Sequence, residues 1–135
     1  MGKMRVLLVD DETEFVSALA ERLNLRGFEA QTAASGEEAL GKIDASQPDL
    51  VLLDVVMPGM SGLEVLKRIK KAHPQVKVIL LTGRGSWEGI QGVRDGAYDC
   101  LMKPIQIEEL MQVMSDAVEG KEKNDPLKEN ESCVN

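Results

Sequence analysis

Leu50-Val51-Leu52-Leu53-Asp54-Val55-Val56-Met57-Pro58-Gly59-Met60-Ser61-Gly62-Leu63-Glu64 is the stretch on which the fold turns. Leu50 to Leu53 is a continuous aliphatic run with no polar alternation, so it reads as a strand covered on both faces, as in a parallel sheet. The run ends at a carboxylate, Asp54. Pro58 and Gly59 then punctuate the chain. Ser61-Gly62-Leu63-Glu64 has the spacing of a capping box, which opens a helix carrying Leu63, Leu66 and Ile69 and stopping before Pro74.

The same unit recurs on either side. Val6 to Val9, Val76 to Leu81 and Tyr98 to Met102 are further apolar runs, and Glu29 to Ala33 is a weaker one. Phe15, Ala18, Leu19 and Leu23 fall at helix spacing in a stretch ending near Gly27. Ser35-Gly36-Glu37-Glu38 is a second capping box, opening a short helix through Ile43. Trp87 to Arg94 is a poorer helix, weakened by Gly89 and Gly92. Ile107, Leu110, Met111, Met114 and Val118 form the apolar stripe of a last helix ending near Gly120. Five strands alternating with five helices predict an α/β fold with a doubly wound parallel sheet. Right-handed crossovers set every strand's C-terminal end along one edge, where such sheets bind ligands.

A length of 135 residues suits one domain. Residues 4–120 carry the pattern, and 121–135 read as a disordered polar tail. Aromatic residues are only 3%, so the core is aliphatic, with Met111 and Met114 as packing residues. The net charge of -7 argues against direct contact with nucleic acid or an anionic membrane. No run is long enough to span a bilayer. Cys100 and Cys133 show neither metal-ligand spacing nor a small disulfide framework. Cys100 reads as an inert buried thiol, and a reducing, cytoplasmic setting suits both cysteines.

Four polar groupings end apolar runs: Asp10-Asp11, Asp54, Thr82, and Lys103 before Pro104. The fold would gather them at one edge. Singly, each has an ordinary reading: a helix cap at Asp10-Asp11, a turn at Asp54, a cap at Thr82, a surface lysine at Lys103. Together those ordinary readings need four coincidences. Crowded carboxylates repel one another, and a divalent cation relieves the repulsion. Oxygen-rich, partly hydrated sites suit Mg2+. Beside it a carboxylate can act as nucleophile toward phosphorus, while an ammonium and a hydroxyl hold phosphoryl oxygens. His73 reads as a helix-end surface residue, and Trp87 as either a cover for the site or a loop anchor.

The Asp10-Asp11 pair, Asp54 within Leu52 to Gly62, Thr82 in Leu80-Leu81-Thr82-Gly83 and Lys103-Pro104 resemble the receiver domains of two-component response regulators (CheY-like). The resemblance covers about residues 4–120. It implies a flavodoxin-like strand order 2-1-3-4-5 with phosphorylation at Asp54. It also implies Mg2+ held by Asp10, Asp11, Asp54 and the Val56 backbone carbonyl, phosphoryl contacts from Thr82 and Lys103, and a cis Lys103-Pro104 peptide. The partners it implies are a sensor histidine kinase or histidine phosphotransfer protein and a downstream protein target, with homodimerisation on phosphorylation. Such a domain is a phosphoryl acceptor rather than an enzyme.

Where receivers usually carry an aromatic switch residue, three positions before the lysine, this chain has Cys100. Tyr98, placed by strand alternation on the same face, is the candidate substitute, and Trp87 completes the candidate switch region. Ile105 stands where phenylalanine is frequent. Gly89 and Gly92 suggest a mobile fourth helix that orders on phosphorylation. Val56 and Arg84 flank the path of attacking water, and an apolar Val56 suggests slow to moderate phosphoryl hydrolysis. An alternative, a magnesium-dependent phosphatase working through an aspartyl phosphate, lacks a general acid two residues after Asp54. A nucleotide- or flavin-binding module would need a Gly- or Ser/Thr-rich loop where Asp10-Asp11-Glu12-Thr13-Glu14 stands. An unphosphorylated adaptor of the same fold is the remaining alternative.

Overall fold

In a computed structural model, which describes residues 2–83 and 87–121, the chain alternates five strands with five helices. They are β1 (Arg5–Val9), α1 (Thr13–Leu25), β2 (Glu29–Ala33), α2 (Gly36–Ala45), β3 (Leu50–Asp54), α3 (Gly62–Ala72), β4 (Lys77–Thr82), α4 (Trp87–Arg94), β5 (Asp99–Met102) and α5 (Ile107–Val118). The strands form one parallel sheet in the order β2-β1-β3-β4-β5. From residue 122 onward the polar tail expected over 121–135 lies outside the described residues.

Each central strand feeds two cores. Leu7, Val9, Val51, Leu53, Val78 and Leu80 pack with Ile43 of α2 and Val65, Leu66 and Ile69 of α3. The alternate residues Val6, Leu8, Leu50, Leu52, Ile79 and Leu81 pack with Leu19 and Leu23 of α1 and Leu110 and Met114 of α5. Period-two alternation inside continuously apolar strands is what a sheet covered on both sides requires. In α1 the buried face is Val16, Leu19, Ala20 and Leu23, whereas Ala18 is exposed.

Local signals set the helix ends. Ser35 Oγ accepts the Glu38 N–H at 3.1 Å and opens α2; Ser61 Oγ accepts the Glu64 N–H at 3.3 Å and opens α3. The Glu38 carboxylate reaches past the cap to accept the Ala34 N–H at 3.0 Å. Gly27 (φ 94) follows α1 in the left-handed region that glycine adopts freely. Gly92 is not simply a weak helix former: a Cβ there would lie 2.0 Å from Leu80 Cδ1, so its bare backbone lets α4 rest on β4. Among the described residues no helix is long and apolar enough to cross a membrane.

Candidate functional site

The C-terminal edge of β1, β3 and β4 collects the buried polar residues Asp10 (1% exposed), Asp54 (7%) and Thr82 (1%). Asp10 follows β1, and its N–H donates to the Ala33 carbonyl at 3.1 Å. It does not cap α1, whose N-cap is Glu12; instead Asp10 Oδ1 accepts the Glu12 N–H at 2.9 Å. Asp54 and Thr82 are the last residues of their strands. Lys103 follows β5, tied in by its N–H donating to the Thr82 carbonyl at 2.8 Å, and the Lys103-Pro104 peptide is cis.

Lys103 spans the edge. Its Nζ donates to Asp10 Oδ2 at 2.8 Å and to Glu12 Oε1 at 2.9 Å, and stands 3.7 Å from Asp54 Oδ1. The Phe15 ring centroid lies 4.8 Å from the same nitrogen, within cation–π range. Burial works against the ammonium, but its hydrogen bonds to Asp10 and Glu12 outweigh this and raise its pKa. Asp54 moves the other way for a carboxylate. Burial first, then the charge of Asp10, push it from 3.8 up to about 6, against the opposing pull of Lys103 and the Val56 N–H. A proton or a cation at this edge therefore relieves a real electrostatic cost.

One oxygen from each of Asp10, Glu12 and Asp54 can be placed within 4.8 Å of the others. Asp11 is exposed and lines the same open cleft with Glu12, Asp54, Val56, Gly83 and Lys103. These are hard oxygen donors, the kind that suit a magnesium ion retaining part of its water. Thr82 Oγ1 is buried with no hydrogen-bond partner. A buried hydroxyl left unpaired is costly, and this one belongs to the same edge, so the donor set fits an oxyanion as well as a cation.

Asp54 is held from behind. The Gly62 N–H donates to the Val55 carbonyl at 2.9 Å, and a Cβ on Gly62 would come within 2.3 Å of the Asp54 carbonyl oxygen. Only glycine lets the start of α3 close on the end of β3 this tightly. Val56, on the connecting loop, has a side chain turned to solvent, 69% exposed.

Of the expected site residues, Asp10, Asp54 and Lys103 are in direct contact or nearly so, Thr82 stands beside them in the sheet, and Asp11 and Val56 border the cleft. Glu12 and Phe15 were not expected. Both follow from α1 starting immediately after the Asp10 turn, which swings the helix's first turn over Lys103. The expectation that Tyr98 shares a face with Cys100 needs correcting. Tyr98 packs with the α1–α5 core and Cys100 with the opposite one, because β5 begins only at Asp99 and strand alternation does not extend back to Tyr98. Cys100 is disulfide-bonded, not the free thiol expected. Arg84 and the side chain of Trp87 lie outside the described residues.

A family model for the response regulator receiver domain matches residues 6–115. The chain is 45% identical over 108 residues to the transcriptional regulatory protein CpxR homolog of Haemophilus influenzae, covering 79% of this chain and 47% of that protein. It is 36% identical over 109 residues to the transcriptional regulatory protein TrcR of Mycobacterium tuberculosis, covering 80% of this chain and 42% of that one. The chain thus spans under half the length of these relatives. Among solved structures, the receiver domain of NtrX from Brucella abortus superposes with a TM-score of 0.82 at 35% identity, over 86% of this chain and 99% of that one. A CheY-like response regulator receiver domain protein from Methanospirillum hungatei does so at 0.83 and 31%, over 88% and 95%.

Proposed function

The chain belongs to the response regulator receiver domain family, and on that premise we propose that it is a signalling switch whose phosphoryl acceptor is Asp54. The observation carrying the proposal is the setting of Asp54: a buried carboxylate raised to about 6, with Lys103 at 3.7 Å and Thr82 Oγ1 unpaired at the same edge. An Asp54 carboxylate oxygen attacks phosphorus as the bond to the donor breaks. The donor is a phosphohistidine of a sensor kinase or phosphotransfer protein, whose imidazole leaves. Lys103 and Thr82 hold the phosphoryl oxygens, Lys103 through its ammonium and Thr82 through a buried hydroxyl that is otherwise unpaired.

Asp10 and Asp54, with Asp11 and the Val56 carbonyl, would hold Mg2+, and Glu12 stands near enough to join them. Bound there, the ion offsets the crowding of carboxylates and the charge developing on the phosphoryl oxygens. The chain then acts by protein contact, through a downstream target or a homodimer formed on phosphorylation, in the cytoplasm and without catalytic output of its own. Regulation of transcription is attached by name to relatives more than twice as long as the matched region. For residues 4–120 the acidic balance argues against contact with nucleic acid.

Incubation with acetyl phosphate and magnesium, read by intact mass, tests the reading. One added phosphoryl group is expected, lost without magnesium and lost in Asp54→Asn. Labelling that persists in Asp54→Asn would move the acceptor elsewhere. Unlabelled wild-type protein would leave an adaptor that works unphosphorylated. A phospho-Asp54 lifetime shorter than that of Val56→Asn would overturn the expectation of slow hydrolysis.

A further inference from the structure

Lys103 is pulled in three directions and answers two of them. Its contacts to Asp10 (2.8 Å) and Glu12 (2.9 Å) are hydrogen bonds, whereas 3.7 Å to Asp54 is an ion pair without one. An ammonium is a compact cluster of three donors on a flexible stem. With two donors committed and the Phe15 ring at 4.8 Å, the charge is held short of the nucleophile.

The two tethers differ in kind. The Asp10 side chain is 1% exposed, and its second oxygen is engaged by the Glu12 N–H, so it is fixed. The Glu12 side chain is 64% exposed and free to swing into water. A hydrogen bond to an exposed, long side chain is the more easily broken of the two.

We propose that Glu12 is a latch on Lys103: a positioning residue that keeps the ammonium off Asp54 in the resting protein and whose release hands it to the phosphoryl group. The inference rests on Asp54 being the acceptor. The latch tunes the rate instead of forbidding the reaction, because an exposed ion pair is worth at most a factor of about five. It also holds Lys103 at ion-pair distance from Asp54 and short of a hydrogen bond to it.

The test compares Glu12→Gln with Glu14→Gln, a control of equal charge change two residues on, in the exposed first turn of α1. Three readouts are needed: the initial rate of acetyl phosphate labelling at saturating magnesium, magnesium affinity by calorimetry, and the Lys103 ammonium signal by NMR. Glu12→Gln is expected to speed labelling about two- to five-fold and to shift the Lys103 signal, while Glu14→Gln does neither. An unchanged Lys103 signal, or a rate equal to or below wild type, overturns the latch. A slower rate together with magnesium affinity weakened by about tenfold, more than an exposed pair supplies, makes Glu12 a ligand instead. Wild-type protein that takes no label refutes Asp54 as acceptor, a failure distinct from that of Glu12.

Discussion

Asp54→Asn should stabilise the metal-free protein near neutral pH. The Asp54 carboxyl titrates near 3.8 in the unfolded chain and at about 6 in the fold, chiefly because it is buried and then because Asp10 is close. A group raised in this way is harmless below the unfolded value, and its penalty grows between the two values and is complete above the folded one. At 1.36 kcal/mol per pH unit, that penalty is on the order of 3 kcal/mol at pH 7.5. The amide removes the charge but loses part of the Val56 N–H bond and must place an NH2 group. A net gain of about 1–2 kcal/mol is therefore expected, since a hydrogen bond to a charged group is worth about that difference. Urea unfolding in EDTA at pH 4 and pH 7.5 measures it: the two proteins should nearly coincide at the lower pH and separate at the higher one. Added magnesium should narrow the gap by stabilising the wild type alone. A gain equal at both pH values, or a loss at pH 7.5, would refute the electrostatic account of the site.

Thr82→Val replaces a buried, unpaired hydroxyl with a methyl of the same shape. It should raise resting stability by about 1 kcal/mol in the same unfolding assay while slowing acetyl phosphate labelling; lower stability would mean that the hydroxyl has a partner. Gly62→Ala places a Cβ against the Asp54 carbonyl oxygen, and overpacking of backbone should cost about 1–3 kcal/mol or more by urea midpoint and slow labelling with it. For α4, hydrogen exchange over residues 87–97 should fall when beryllofluoride and magnesium are added. Equal protection in both states would remove α4 from the switch.

Much of this was legible in the amino-acid chain because the strands are aliphatic runs that stop abruptly. Asp54 and Thr82 end their strands, and Asp10 and Lys103 come directly after theirs, so a parallel sheet had to bring them to one edge. Glu12 was not legible. It is one of several acids in a row, and its contact with Lys103 is made across the chain, 91 residues apart. Tyr98 was misplaced because alternation was extended one residue beyond the start of β5. Gly92 was read as a propensity defect, whereas its role is steric and depends on Leu80, a residue twelve positions earlier. Propensity and periodicity describe neighbours along the chain; these three features depend on neighbours across it.

The sheet also divides the interior. Residues of one strand face separate cores, with α2 to α4 on one side and α1 and α5 on the other. Among the described residues the two clusters share no buried side chain, so the halves exchange forces along the strands and around their ends. Asp54 stands at the end of β3, where the strand leaves both compartments. It follows that a repacked core behind α1 could alter stability freely and leave the conversation with α4 undisturbed, while a much smaller disturbance at the rim would reach both.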